Sequence, residues 1–261
     1  MLVKHEHYTG RQLWDDMPEW KKKKDCAIAR YFFRPISYYV AAWCANRGIS
    51  ANTVSYCSVF FAIAGCLCFV LSGPFWHLAG AILFNIWYLL DCVDGNIARS
   101  IKKQPFGDFA DAVSSYILVG FMGAAMGYAV YMDGGFFVKP GCALFILIGG
   151  WATTADTMMR LIYQKFKNSE RILQDKGVLE VKYDKRADAN ATTSWLVRLE
   201  EWFGIGGYLS FVILLATIFN ALDVIIIYCF IYYGGSFVIM TVKYCKKAIC
   251  LAKENQDKML Q

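Results

Sequence analysis

Residues 88–100 read YLLDCVDGNIARS, and after a short link residues 106–116 read FGDFADAVSSY. The first run closes one long apolar block and the second opens the next, so their acidic residues fall where a chain rarely tolerates charge. Ionisable side chains at membrane depth are rare and mark functional sites. On a helix Asp91 and Asp94 stand at i and i+3 with Ala98 one turn further along the same face, and Asp111 follows Gly107 by four residues. The link is short enough to predict that the two helices are antiparallel neighbours. Three carboxylates meeting in a low-dielectric bundle repel one another unless they are protonated, paired with Arg99 or bound to a divalent cation. Oxygen ligands without His or Cys favour Mg²⁺ or Mn²⁺ over zinc. Gly95, Ala98 and Gly107 are small enough for a phosphate and its metal to lie close to the backbone, and Arg99 is placed to grip a phosphate bidentately.

Outward from this pair, apolar blocks cover roughly 53–72, 76–98, 109–132, 141–163, 203–221 and 223–243. Hydrophobic residues make up 57% of the 261, which exceeds what a soluble core of this size needs. Each block suffices to cross a hydrocarbon layer about 30 Å thick at about 1.5 Å per residue, and unpaired backbone groups are costly in lipid, so six helical spans are expected. With the termini and the even-numbered loops on one side, 26 of the 27 Lys and Arg residues share that side and only Lys139 lies opposite. The positive-inside rule makes that side, and both termini, cytoplasmic. The net charge of +6 hugs the span ends, which argues against a nucleic-acid partner. The ten cysteines have neither metal-ligand nor disulfide spacing and read as small buried hydrophobes. No signal peptide is apparent.

The expected organisation is a polar cytoplasmic segment over 1–24, a membrane domain over 25–248 and a cytoplasmic tail over 249–261. Residues 25–43 read as an amphipathic helix lying in the interface. Gly48 ends it, and Ser50 or Asn52 caps the first span. The stretch 165–202 is polar and expected to be partly helical. Asp156 and Arg160 are spaced to pair on the fourth span, or else to leave Arg160 as the anchor for an anionic acceptor. Asn52 and Ser55 are candidates to touch a ligand. Asp223 is expected to be solvated in an outer turn, and His5, His7 and His77 to lie in the tail or an outer turn, away from the site.

The ordered set Asp91, Asp94, Gly95, Ala98, Arg99, Gly107 and Asp111 resembles the signature of the CDP-alcohol phosphotransferase (CDP-alcohol phosphatidyltransferase) family, D-x-x-D-G-x-x-A-R followed by G-x-x-x-D-x-x-x-D. The stretch RPISYYVAAWCANRGISANTVS is similar to the family's interfacial helix and its entry into the first span, so the likeness covers roughly 30–245. The resemblance implies that Asp91, Asp94 and Asp111 bind divalent metal beside the donor's pyrophosphate. Asp94, Gly95, Ala98, Arg99 and Gly107 would line the CMP half of the donor. An acceptor hydroxyl would attack the phosphorus beyond the CMP, which leaves.

Two departures stand out. The link between Arg99 and Gly107 is one residue shorter than the family's, and the final motif aspartate is Ser115. In the family that aspartate is credited with metal contact and with taking the acceptor's proton, which serine cannot do near neutral pH. Candidate catalytic residues are therefore Asp111, Asp108 and Ser115. Either another carboxylate serves as base (Asp108 or Asp156), or the acceptor is already anionic, or transfer has been lost.

The expected function is transfer of a substituted phosphate from a CDP-alcohol, either CDP-diacylglycerol or a CDP-amino-alcohol, to an alcohol or anionic acceptor in phospholipid or membrane-glycopolymer synthesis. Membrane lipid and a second copy of the chain are the expected partners. The alternatives are a catalytically silent nucleotide-binding scaffold and, behind it, a divalent-cation transporter.

Overall fold

The structure, a computed structural model, describes residues 7–101, 104–179 and 202–255; Lys102, Lys103 and the polar stretch 180–201 lie outside the described residues. Everything regular in those residues is helical. In chain order the helices are α1 (Gly10–Asp15), α2 (Glu19–Lys24), a π-turn (Ala29–Phe33), α3 (Arg34–Asn46), α4 (Ala51–Val70), α5 (Pro74–Ser100), α6 (Gly107–Asp133), α7 (Leu144–Asp175), a second π-turn (Ile205–Leu209), α8 (Ser210–Ile218) and α9 (Leu222–Glu254).

Local chemistry explains most boundaries. Ser50 accepts the Thr53 N–H at 3.1 Å and caps α4. Gly48 takes φ +71° just past α3, where the Gly48 and Ile49 N–H groups close back on Ala45 and Cys44. Gly73 and Pro74 start α5, and Gly134 ends α6.

Six helices stand where six spans were expected, and four of them (α4, α5, α6 and α9) are long and apolar enough to cross a membrane. α7 is long, but Thr153, Thr154, Asp156 and Arg160 dilute its apolar half. The stretch Ile205–Ile218 is apolar but short, about 21 Å at the helical rise. The chain is thus a multi-pass membrane protein by the composition and length of four helices.

Packing departs from expectation in one respect that matters for the site. α5 and α6 are not packed neighbours: α4 lies along both, and the two touch at few points. A short link fixes how far apart two helix ends sit, not whether a third helix wedges between them. α7 packs along α6 and α9, α8 leans on α5, and α3 lies across α5. The α6–α7 contact is built on glycine: a Cβ on Gly123 would stand 2.7 Å from the Gly149 carbonyl oxygen, and one on Gly127 3.2 Å from the Gly149 Cα.

The segment over 1–24 does more than sit in solvent. α1 and the turn after it dock on α3 through Leu13 and Met17, both buried beside Tyr38 and Ala41. On the opposite side of the bundle Asp223 is also unlike its expectation. It is fully buried and accepts the backbone N–H groups of Phe136 at 3.0 Å and Phe137 at 2.7 Å. His77 is likewise buried, stacked on Phe69 and 3.4 Å from the Asp133 carboxylate, not in a turn.

Candidate active site

The end of α5 and the start of α6 converge beside the first turns of α4. Asp91, half-buried on α5, brings its carboxyl group within hydrogen-bonding reach of Asp111 on α6. Asp94, 7% exposed, lies one turn along and receives a hydrogen bond from Ser55 Oγ at 2.6 Å. Two carboxyl groups this close need a proton or a cation between them. Their all-oxygen donor chemistry suits a hard divalent cation. With Asp94 turned to Ser55, however, no group of three or more His, Cys, Asp or Glu side chains among the described residues is arranged to hold a metal ion.

The small residues act in two ways. Gly95 makes room for Arg99, whose guanidinium folds over it so closely that a Cβ there would meet Nη1 at 3.0 Å. Arg99 Nε is buried and has no partner among the described residues, so the side chain is positioned but unsatisfied. Gly107 opens toward Asn52: its Cβ would stand 3.6 Å from Asn52 Oδ1, another buried atom without a partner. Asn52 Nδ2 meanwhile donates to the Pro105 carbonyl at 2.9 Å, holding the link against α4. Ala98 instead packs toward the α1–α3 core.

Phe106, immediately before Gly107, takes a left-handed φ of 60°, an uncommon conformation for a bulky residue. This kinked entry places Asp108 in the exposed first turn of α6, three residues before Asp111. Ser115 is half-buried and donates to the Ala112 carbonyl of its own helix at 3.2 Å. Its neighbour Ser114 makes the long-range contacts, accepting from Trp87 Nε1 at 2.8 Å and bonding Ser58 Oγ.

A sequence model of the CDP-alcohol phosphatidyltransferase family matches residues 49–231, which takes in the paired carboxylates, Arg99 and the helices that carry them. The chain belongs to this family. It is also similar to a phosphatidylinositol phosphate synthase of Streptomyces avermitilis, 35% identical over 104 residues. That match covers 39% of this chain and 42% of the relative, so the chain spans less than half the length of the curated relative it matches.

For a CDP-alcohol phosphatidyltransferase, the residues that sequence reasoning missed stand behind the site. Arg34, 5% exposed, bonds Asp25 through Nε at 2.7 Å and Nη2 at 3.1 Å, and reaches Asn96 Oδ1 at 2.7 Å through Nη1. Asn96 is fully buried and donates to Ser37 at 2.8 Å. This network ties the N-terminal segment and α3 to the turn of α5 between Asp94 and Arg99. Burial pushes the Asp25 carboxyl up, but Arg34 and Lys21 outweigh it and hold the group below the usual range. The one sequence-level signal was an Arg-Pro step opening a helix of mixed polarity.

On α7 the expected pairing is present: Arg160 Nε lies 3.0 Å from Asp156 Oδ1, and the guanidinium sits 5.7 Å from the Tyr116 ring on α6.

Proposed function

We propose that this family member transfers a substituted phosphate group from a CDP-alcohol to an acceptor and releases CMP, in phospholipid or membrane-glycopolymer synthesis. The observation that carries this reading is the meeting of Asp91 with Asp111 across the gap between α5 and α6, beside Asp94 and an unsatisfied Arg99. Asp91, Asp94 and Asp111 would hold Mg²⁺ or Mn²⁺, with Asp94 turning from Ser55 to join the other two. The metal supplies charge neutralisation on the pyrophosphate. Arg99 binds a donor phosphate, swinging off Gly95 so that Gly95 and Gly107 leave the CMP half room against the backbone, while Ala98 packs behind them toward the α1–α3 core.

In the transfer, an acceptor oxygen forms a bond to the distal phosphorus of the donor. The bond from that phosphorus to the bridging oxygen breaks, and CMP leaves with the electron pair. The acceptor's proton passes to Asp108, which is exposed at the mouth and stands on the same helix face as Asp111. Asp108 thus takes the part that Ser115 is chemically unable to play. The membrane domain spans 25–248 with six crossings, the first π-turn and α3 lie in the interface with Tyr31, Tyr39 and Trp43 at headgroup depth, both termini are cytoplasmic, and the protein works as a homodimer in lipid.

A second reading, a silent nucleotide-binding partner of an active relative, is favoured by Ser115 itself, whose hydroxyl is spent on its own helix. One assay separates the two. Purified protein in nanodiscs is given Mn²⁺ or Mg²⁺, CDP-diacylglycerol or CDP-amino-alcohols, and a mixture of polar acceptors, and CMP is measured. Transfer predicts metal-dependent CMP release that falls about 100-fold or more in Asp94→Asn. Donor binding without CMP release under any condition supports the silent partner instead.

A further inference from the structure

Behind the carboxylates one hydrogen-bonded chain joins three helices. Trp87 Nε1 on α5 donates to Ser114 Oγ on α6 at 2.8 Å, Ser114 bonds Ser58 Oγ on α4, and Ser58 donates to the Ser55 carbonyl at 2.7 Å. All three side chains are buried. An indole N–H can only donate, and each hydroxyl has one proton to give. Ser58 spends its proton on Ser55, so the proton between the two hydroxyls comes from Ser114. The chain therefore runs one way, from Trp87 through Ser114 and Ser58 to the Ser55 carbonyl.

Each member stands one turn from a residue of the site on its own helix. Trp87 precedes Asp91 by four residues and Asp94 by seven, on one face of α5. Ser114 follows Asp111 by three on α6, and Ser58 follows Ser55 by three on α4. Ser55 ends the chain with its carbonyl while its hydroxyl holds Asp94 Oδ2 at 2.6 Å. Packing between α5 and α6 cannot set the spacing of their carboxylates, because those helices touch at few points and α4 lies along both. The chain supplies that constraint by bonding all three helices at one level. It is a sharp constraint, since any shift that breaks it leaves an indole N–H or a hydroxyl unpaired in an apolar core.

We propose that Ser58, Ser114 and Trp87 are positioning residues, whose chain sets the separation of Asp91 from Asp111 and holds Ser55 level with Asp94. The inference deepens the transfer reading above: the three act through the carboxylates and not on the donor. Interhelical hydrogen bonds in membranes contribute little to stability one by one. Cutting this chain therefore shows at the carboxylates more than in unfolding.

The experiment uses full-length protein in nanodiscs and three readouts. Mn²⁺ binding without donor is followed by electron paramagnetic resonance, and folding by thermal unfolding. The spacing of the two helices is followed by a short thiol cross-linker in an Asp91→Cys, Asp111→Cys background, with the linked peptides identified by mass spectrometry. Ser114→Ala and Ser58→Ala are each expected to weaken Mn²⁺ binding about tenfold or more. Combining them is expected to cost no more than one alone, because both cut the same chain. Ser114→Thr keeps the hydroxyl and is expected to hold the wild-type affinity. Thr153→Val removes a comparable bond between α6 and α7, from the Ala124 N–H to Thr153 Oγ1 at 3.0 Å, and is expected to leave Mn²⁺ affinity unmoved. Cross-linking, which needs no metal, is expected to fall with either serine and not with Thr153→Val. If Ser114→Ala does not fold, Ser58→Ala, which leaves the bond from Trp87 to Ser114 in place, carries the same test. Unchanged Mn²⁺ affinity or unchanged cross-linking in the folded serine variants overturns the inference, as does an equal loss in Thr153→Val. If the wild-type protein binds no Mn²⁺, cross-linking decides alone: its loss with either serine leaves the positioning chain standing while the transfer reading loses its metal.

Discussion

Arg34 carries more consequence than its place outside the signature suggests. Its guanidinium holds Asp25, Asn96 and, at 3.4 Å, the Cys92 carbonyl, so one side chain joins the N-terminal segment to the helix that carries Asp91, Asp94 and Arg99. Removing one partner of a buried ion pair leaves the other as an uncompensated charge. Arg34→Met is therefore expected to lower stability by about 3–5 kcal/mol, read from thermal unfolding in detergent. Asp25 adds a pH signature. Its folded-state pKa is depressed, so its contribution is full above the ordinary carboxylate range and is lost as pH falls through the folded value. Melting temperature should drop between about pH 5 and about pH 3, and the drop should be shallower in Asp25→Asn, which starts lower at neutral pH. An equal slope in both proteins would remove Asp25 from the account. Asp94, Gly95, Arg99 and Asp111 were legible in the sequence because their spacing on two short runs is itself the signal. Arg34 and Asn96 were not, because 62 residues separate partners that no periodicity links. Asp223 misled for the same reason: an acid next to an outer turn looks solvated until the backbone N–H groups of residues more than 80 positions away close on it.

At the level of helices, hydrophobic blocks located α4, α5, α6 and α9 to within a few residues of their central spans, since each block is long and bounded by Gly, Pro or a cap. What the blocks could not reveal is which helix touches which. Apolar faces bound for lipid and for neighbouring helices look alike, and only small residues mark close contact. Gly123, Gly127 and Gly149 are that mark on α6 and α7, and they position Asp156 and Arg160 relative to Tyr116. Gly127→Leu would drive a side chain into the Gly149 backbone. It should cost about 1–3 kcal/mol, seen as a lower unfolding midpoint, and should weaken acceptor binding before donor binding, because α7 and not α5 is displaced. An unchanged midpoint would mean that α6 and α7 are not pressed together. The separation of α5 from α6 by α4 has the opposite sense. It leaves the two helices meeting near their linked ends, where Asp91 and Asp111 come together.

For the whole molecule the strongest constraint is charge asymmetry. Lys139, in the outer link after α6, is the one basic residue assigned to its side, while Lys243, Lys246, Lys247 and Lys253 crowd the far end of α9. Basic residues near span ends resist translocation, so this pattern predicts cytoplasmic termini even though α7 and the short Ile205–Ile218 stretch fall outside the four strongest spans. Those two segments decide the topology. If both cross, the crossings number six and the termini share a side; if only one crosses, the C-terminus lies with Lys139. The exposed Cys245 and Cys250 on α9 report the difference directly. In sealed vesicles with the original outer face outward, a membrane-impermeant maleimide should label a Lys139→Cys variant at once. It should reach Cys245 and Cys250 only after the vesicles are opened. Labelling of the α9 cysteines in intact vesicles would reduce the crossings to an odd number.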